Sequence, residues 1–186
     1  MMMLPATPEM LLEEVILPAA EWLPPEWNTP EAQVMQIAVA LQESQLRTRR
    51  QYGNGPARGL WQFERGTQAS RGGVWGIYLH PASREHLQRI CTDVAGVSFN
   101  PDSIWQRLEV DDLLAACCAR LLLRTDPYAL PAVNDFIDPA HHLNANDPKA
   151  SASWKLYYAR TWRPGRPHIE RWPGNHSAAV RAVTAL

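Results

Sequence analysis

The sequence predicts a mostly α fold built as one domain. Apolar residues recur at helical spacing in several stretches. Helix-start signals stand in front of them, and the two-residue alternation of strands is nearly absent. At 186 residues the chain is long enough to bury a core of its own. With 46% hydrophobic and 20% charged residues it belongs with folded chains rather than disordered ones.

Helices are expected over 8–18, 30–48, 60–70, 82–96, 101–107, 110–125, 128–136 and 151–160. The second has the clearest grammar. Thr29-Pro30-Glu31 supplies a capping hydroxyl, a proline at the first helical position and an acid in the first turn. Val34, Ile37, Ala38 and Leu41 then form one apolar face, and Met35, Val39 and Leu46 a second stripe. The polar run Arg47 to Gln51, before Gly53, is the expected end. The 110–125 helix carries Leu114, Cys117, Cys118 and Leu121 on one face. Asp111-Asp112 at its start and Arg124 at its end suit the helix dipole. Pro127, Pro131, Pro139 and Pro148 punctuate the later loops, and Asp138 to Ser153 reads as one long connection. Trp162-Arg163-Pro164-Gly165-Arg166-Pro167 cannot be a regular helix. It is expected to wrap the surface, with Trp162 and Trp172 packed on the core.

Charge and cysteine usage narrow the function classes. The formal net charge is −1, so no nucleic-acid partner is expected. The charge is unevenly placed: residues 1–31 hold six Glu and no Lys or Arg, whereas residues 155–171 hold five Lys or Arg against one Glu. The two ends can attract each other, or the basic end can meet an anionic polymer. Cys91, Cys117 and Cys118 are odd in number and two are adjacent, so buried thiols are expected rather than disulfides. Histidines 80, 86, 141, 142, 168 and 176 lack metal-site spacing, and His141-His142 reads as a loop pair; neither metal nor cofactor is expected. The run Leu113 to Leu123 is too short to span a bilayer. The acids and prolines of the N-terminus do not read as a secretory signal.

Chemistry concentrates between Ala40 and Thr67. Glu43 falls near the end of its helix and beside the Met35–Val39–Leu46 stripe. The helix dipole and desolvation there both disfavour the anion, and a carboxyl that keeps its proton near neutrality can protonate a glycosidic oxygen. The competing reading is a solvated Glu paired with Arg47. The Gly53-Asn54-Gly55-Pro56 turn follows, and then Arg58-Gly59-Leu60-Trp61-Gln62-Phe63. Here an indole face can stack on a sugar ring and an amide can both donate and accept. The competing reading is a buried Trp–Phe pair with Gln62 as a surface amide.

Glu43-Ser44 ending a helix, with Gly59-Leu60-Trp61-Gln62 downstream, resembles the core of soluble lytic transglycosylases and goose-type lysozymes. A third stretch, Trp154-Lys155-Leu156-Tyr157-Tyr158-Ala159-Arg160, is similar to that family's Ala-Tyr-Asn-Ala-Gly segment. Trp61 stands where the family has Met, Tyr158 where it has Asn, and Arg160 where it has Gly. The resemblance covers residues 32–165 and implies a lysozyme-like domain that cleaves peptidoglycan glycan strands. It implies a catalytic core at about 30–165, an acidic N-terminal segment 1–29 and a basic C-terminal wrap 160–186. Glu43 would be general acid and then base. Ser44, Gly59, Leu60, Trp61, Gln62, Tyr157 and Tyr158 would line the substrate groove, with the Tyr157 hydroxyl on Glu43. Glu64 is the candidate second acid that a hydrolytic lysozyme needs, while lytic transglycosylases resemble one-carboxylate enzymes. A wall-cutting enzyme with no visible export signal suggests a bacteriophage protein, in the virion or released at lysis. Other virion proteins are then candidate partners, and a virion structural component that keeps the fold is the rival from another class.

Overall fold

The computed structural model describes residues 1–133, 153–163, 165 and 168–185, with the backbone alone for 155–157. Among these residues the chain is mostly helical and forms no strand. The first helical rod runs through α1 (Pro8–Leu11), a π turn (Leu12–Ile16) and α2 (Leu17–Ala20). The Thr7 hydroxyl caps it by accepting from the Met10 N–H at 3.2 Å.

The central element is α3 (Pro30–Ser44), capped as its sequence predicts: Thr29 Oγ1 accepts from the Ala32 N–H at 3.3 Å. Residues 34–40 are buried on every side of the helix, so the two apolar stripes are parts of one continuous buried surface. Later helices supply the cover that neither stripe reveals by itself. The helix stops at Ser44, four residues short of expectation. Gln45 and Leu46 both turn left-handed, each with φ of 52°. Leu46 is fully buried, and its N–H is received by Ser44 Oγ at 3.2 Å, so packing offsets the strained backbone.

The expected helix over 60–70 does not form. Arg58 and Phe63 instead exchange backbone hydrogen bonds of 2.9 and 2.8 Å across a tight turn. A helix absent from the expectation, α4 (Gly73–Leu79), follows. The Gly72-Gly73 pair reads as a breaker, yet a Cβ on Gly73 would lie 2.0 Å from the Glu64 carbonyl, and φ there is +56°. Glycine therefore permits a close backbone approach at the helix start.

Next come α5 (Pro81–Arg89), with a π turn (Ile90–Val94), then α6 (Pro101–Arg107) and α7 (Asp112–Arg124). Asp111 caps α7 by accepting from the Leu114 N–H at 3.0 Å. All three cysteines are buried free thiols, and burial pushes the Cys91 thiol up to about 12. Residues 128–133 are not helical. The rest of the expected 128–136 helix lies outside the described residues, as do His141, His142 and almost all of the 138–153 connection.

The C-terminal part is a π turn (Ser153–Tyr158), α8 (Ala159–Thr161), a 3₁₀ turn (Ile169–Arg171) and α9 (Trp172–Thr184). The expected surface wrap thus ends in a core helix. Pro173 falls in the first turn of α9, where a proline removes no helical hydrogen bond. Trp172, His176, Ala179 and Ala182 are buried, and α9 packs along α3. No helix among the described residues is long and apolar enough to cross a membrane.

One ion pair ties the exit of α3 to the start of α7. Arg49 meets Asp112 through two oxygens at 2.6 and 2.8 Å, and Asp112 also accepts the Met2 N–H at 2.8 Å. The Asp112 side chain is 2% exposed and that of Arg49 12%. Asp112→Ala strands a half-buried guanidinium and is expected to lower stability by about 3–5 kcal/mol. The check is a reduced urea midpoint at unchanged slope; an unmoved midpoint would show that the pair contributes nothing.

Candidate active site

Glu43 occupies the last turn of α3, one residue before its end. Its carboxylate accepts a hydrogen bond of 2.7 Å from the Tyr158 hydroxyl, across 115 residues of chain. The neighbour of Glu43 on α3, Gln42, is buried and bridges to the same C-terminal region. Its amide donates to the His168 carbonyl at 2.9 Å and accepts from Asn175 at 2.8 Å. Consecutive side chains at the end of α3 therefore hold the C-terminal segment at Tyr158, His168 and Asn175.

The phenol that meets Glu43 is that of Tyr158; the side chain of Tyr157 lies outside the described residues. The expectation of Tyr157 came from the resemblance of this stretch to the family's Ala-Tyr-Asn-Ala-Gly segment. Residues 153–158 form a π turn, whose i→i+5 bonding carries an extra residue per turn and re-aims the positions that follow. Tyr158 is 1% exposed and lies within a cluster of aromatic rings. Trp172 stacks on it with centroids 4.9 Å apart, and Trp162 lies nearly parallel to it at 6.5 Å. Trp154 adds a tilted contact at 4.9 Å.

This apolar setting governs proton affinity. Desolvation pushes the Glu43 carboxyl up from its ordinary range to about 7. The Tyr158 hydrogen bond pulls the other way, because a donor stabilises the anion. The negative charge of Glu64 pushes up again. Tyr158 is itself raised by burial and by the facing carboxylate, so its phenol keeps its proton and remains the donor. Near neutrality Glu43 is poised between acid and base, as a group that gives and then retrieves a proton must be.

The Gly-Leu-Trp-Gln segment plays a different part from the one expected. Gly59 (φ +74°) sits where an added Cβ would come within 2.9 Å of the Leu108 carbonyl. Leu60 and Trp61 are fully buried. The Trp61 indole N–H donates to the Gln36 carbonyl on α3 at 2.8 Å. Trp61 therefore cannot offer its face to a sugar ring; with the buried Phe63 it fastens the turn to α3, and the buried-pair reading holds for these two. Leu60 and Ser44 are corrected in the same way. Ser44 is buried, with its hydroxyl donating to the Ala40 carbonyl at 3.0 Å. Gln62 is half-buried at φ +48°, its amide donating to the Gly59 carbonyl at 2.8 Å. Glu64 follows the turn rather than sitting in a helix. It is exposed, yet close enough for its charge to act on Glu43.

Arg160 braces the arrangement from the other side. It forms a two-point ion pair with the buried Asp126 at 2.5 and 2.9 Å, and its guanidinium covers the Tyr128 ring at 4.8 Å. That pair fixes the chain two residues after Tyr158. Sequence reasoning saw Arg160 as a departure from glycine and missed this role. The only sequence signal was its spacing from Tyr158, since Asp126 is remote in the chain.

Two substitutions are expected to move the Glu43 titration in opposite directions. Tyr158→Phe removes the donor to the anion and raises its pKa above about 7, whereas Glu64→Gln removes a neighbouring negative charge and lowers it. Carboxyl-carbon NMR titration reads both, and shifts of the same sign would overturn this account of the site.

Stability follows the same group. The folded protein holds the Glu43 proton up to about pH 7, while the unfolded chain releases it near 4.5. Stability is therefore lost as pH rises from about 4.5 to 7, by roughly 3 kcal/mol. Glu43→Gln is expected to remove that decline, matching the parent below pH 4 and exceeding it above pH 7. Urea midpoints measured across pH check this, and equal pH dependence in both proteins would refute it.

A scan against protein-family models, a search of curated proteins and a search of solved structures each returned no match to this chain.

Proposed function

We propose that this chain is a lysozyme-like domain that cleaves the glycan strands of peptidoglycan, in the manner of lytic transglycosylases. The observation that carries the reading is the Glu43–Tyr158 pair: a carboxyl at the end of a buried helix, raised to about 7 and held by a buried phenol. Its support is chemical, together with the resemblance of the Glu43-Ser44 and Gly59–Gln62 segments to that family.

In this mechanism protonated Glu43 delivers its proton to the glycosidic oxygen as the bond to the anomeric carbon breaks. The leaving strand departs as an alcohol. The acetamido group of the muramyl residue assists at the anomeric carbon. Glu43, now a carboxylate, is steadied by the Tyr158 hydroxyl. It then takes the proton of the muramyl primary hydroxyl, whose oxygen closes the anhydro ring. The acid is regenerated and no water is consumed. One carboxyl serves both steps, which requires a pKa near the working pH.

A hydrolytic lysozyme is the second reading, and the charge of Glu64 felt at Glu43 is the observation that favours it. A hydrolase needs a base about 6.5–9.5 Å from the acid to seat a water, or a nucleophile at about 5 Å. The exposure of Glu64 favours the one-carboxyl reading, because a solvated side chain is not held to a fixed water position. A bacteriophage origin, in the virion or at lysis, remains the biological setting we propose.

Glu43→Gln is expected to fold and to lose about two to four orders of magnitude in wall-cutting rate. The parent should lose rate above pH 7 as Glu43 gives up its proton. Mass spectrometry of digested sacculi should find anhydro-muropeptides, lighter by one water than hydrolysed ends. Hydrolysed ends alone, abolished in Glu64→Gln, would replace the transglycosylase reading with the lysozyme one. Full activity in Glu43→Gln would remove both.

A further inference from the structure

The aromatic cluster around Glu43 is graded from inside to outside. Trp172 is fully buried, Tyr158 is 1% exposed, and Trp162 is the partly exposed member. Trp172, Tyr158 and Trp162 are close to parallel, with interplanar angles of 22° and 21°. Trp162 is also locked in orientation. Its indole N–H donates to the Trp61 carbonyl at 3.2 Å, and its ring leans on Phe63 with centroids 5.9 Å apart. The polar edge of the indole is thereby satisfied inside the protein, and the residue as a whole stays partly exposed.

We propose that Trp162 is the sugar platform of this site, a stacking surface for the apolar face of an N-acetylhexosamine ring next to the one cleaved at Glu43. The inference rests on the glycan-cleaving reading above, and it moves the stacking role from the Gly-Leu-Trp-Gln turn to the C-terminal segment. The two tryptophans divide the work. Trp61 is buried and holds the turn to α3, while its carbonyl orients Trp162. A ring fixed beforehand loses little conformational entropy when a flat partner lands on it. The 162–163 corner is itself specialised. Arg163 is exposed and left-handed (φ +50°), with its Nε donating to the Arg160 carbonyl at 3.3 Å. A platform one stacking distance from the phenol that holds Glu43 would set the strand across the acid.

The test uses the full-length protein and chitotetraose, an N-acetylglucosamine oligomer free of peptide. The Trp162 indole proton is followed by NMR during titration, and binding is measured by calorimetry. The expected result is a specific shift of that resonance on binding. Trp162→Leu should weaken binding by roughly tenfold or more, on the scale of aromatic stacking on a flat ring. Trp162→Tyr, which keeps an aromatic face, should recover most of it. Wall-cutting KM should rise in Trp162→Leu with kcat changed far less. If Trp162→Leu fails to fold, as judged by its melting temperature, the titration of the parent still decides. An unmoved Trp162 resonance in a protein that binds the oligomer, or equal affinity in Trp162→Leu, overturns the platform while leaving the Glu43 reading intact. Binding at Trp162 by a protein that cannot cut sacculi keeps the platform and removes the enzyme reading. No binding to chitotetraose overturns the platform outright.

Discussion

The hydrogen bond between the Tyr158 hydroxyl and Glu43 is the contact on which the site depends. It links the central helix, whose sequence grammar is plain, to a C-terminal segment whose sequence reveals little. It also sets a balance. Burial drives the carboxyl toward its neutral form, and one donor limits how far that drive goes. Without burial the carboxyl would be an ordinary anion. Without the donor, it would hold its proton still more tightly. The surrounding elements serve that balance: α9 covers α3, the Trp61 turn closes one flank, and the Arg160–Asp126 pair fixes the chain just beyond Tyr158.

Much of the helical framework was legible because its signals are local. Thr29-Pro30 starts α3 and Asp111 starts α7 as the capping rules require. The position of Glu43 at a helix end among apolar side chains could be read from periodicity alone. What escaped was whatever depends on distant partners or unusual backbone. The 60–70 segment looked helical by composition, but Gly59 and Gln62 turn left-handed and close a two-sided turn instead. The C-terminal helix was hidden by Trp-Pro-Gly at its start, a run that resembles a loop until α3 is seen to lie beneath it. Motif resemblance pointed to Tyr157 rather than Tyr158, and the π turn over 153–158 that aims Tyr158 at Glu43 has no local sequence signal.

The fate of Trp61 shows why a motif residue and its role should be argued separately. An indole can serve as a stacking face, a buried wedge or a hydrogen-bond donor, and sequence cannot choose among them. Here the backbone chooses. The bridge between Arg58 and Phe63 turns Trp61 inward toward Gln36, and the buried Arg58 is held by Glu109 at 2.9 Å and stacked on Trp105 at 4.5 Å. The turn is thus clamped from its base, and its aromatic side chain becomes part of the frame.

Gln42 and Glu43 are adjacent, and both reach the same C-terminal segment, one through amides and the other through a phenol. Seating of that segment and proton uptake by Glu43 are therefore thermodynamically linked. The linkage is reciprocal: whatever seating does to proton affinity, protonation does to seating. Burial holds the Glu43 proton up to about pH 7, so the folded arrangement around it is more favourable with the carboxyl protonated than ionised. Protonation thus favours the seated arrangement, and ionisation disfavours it. One proton therefore bears both on the charge of the carboxyl and on how firmly the C-terminal segment is held against α3.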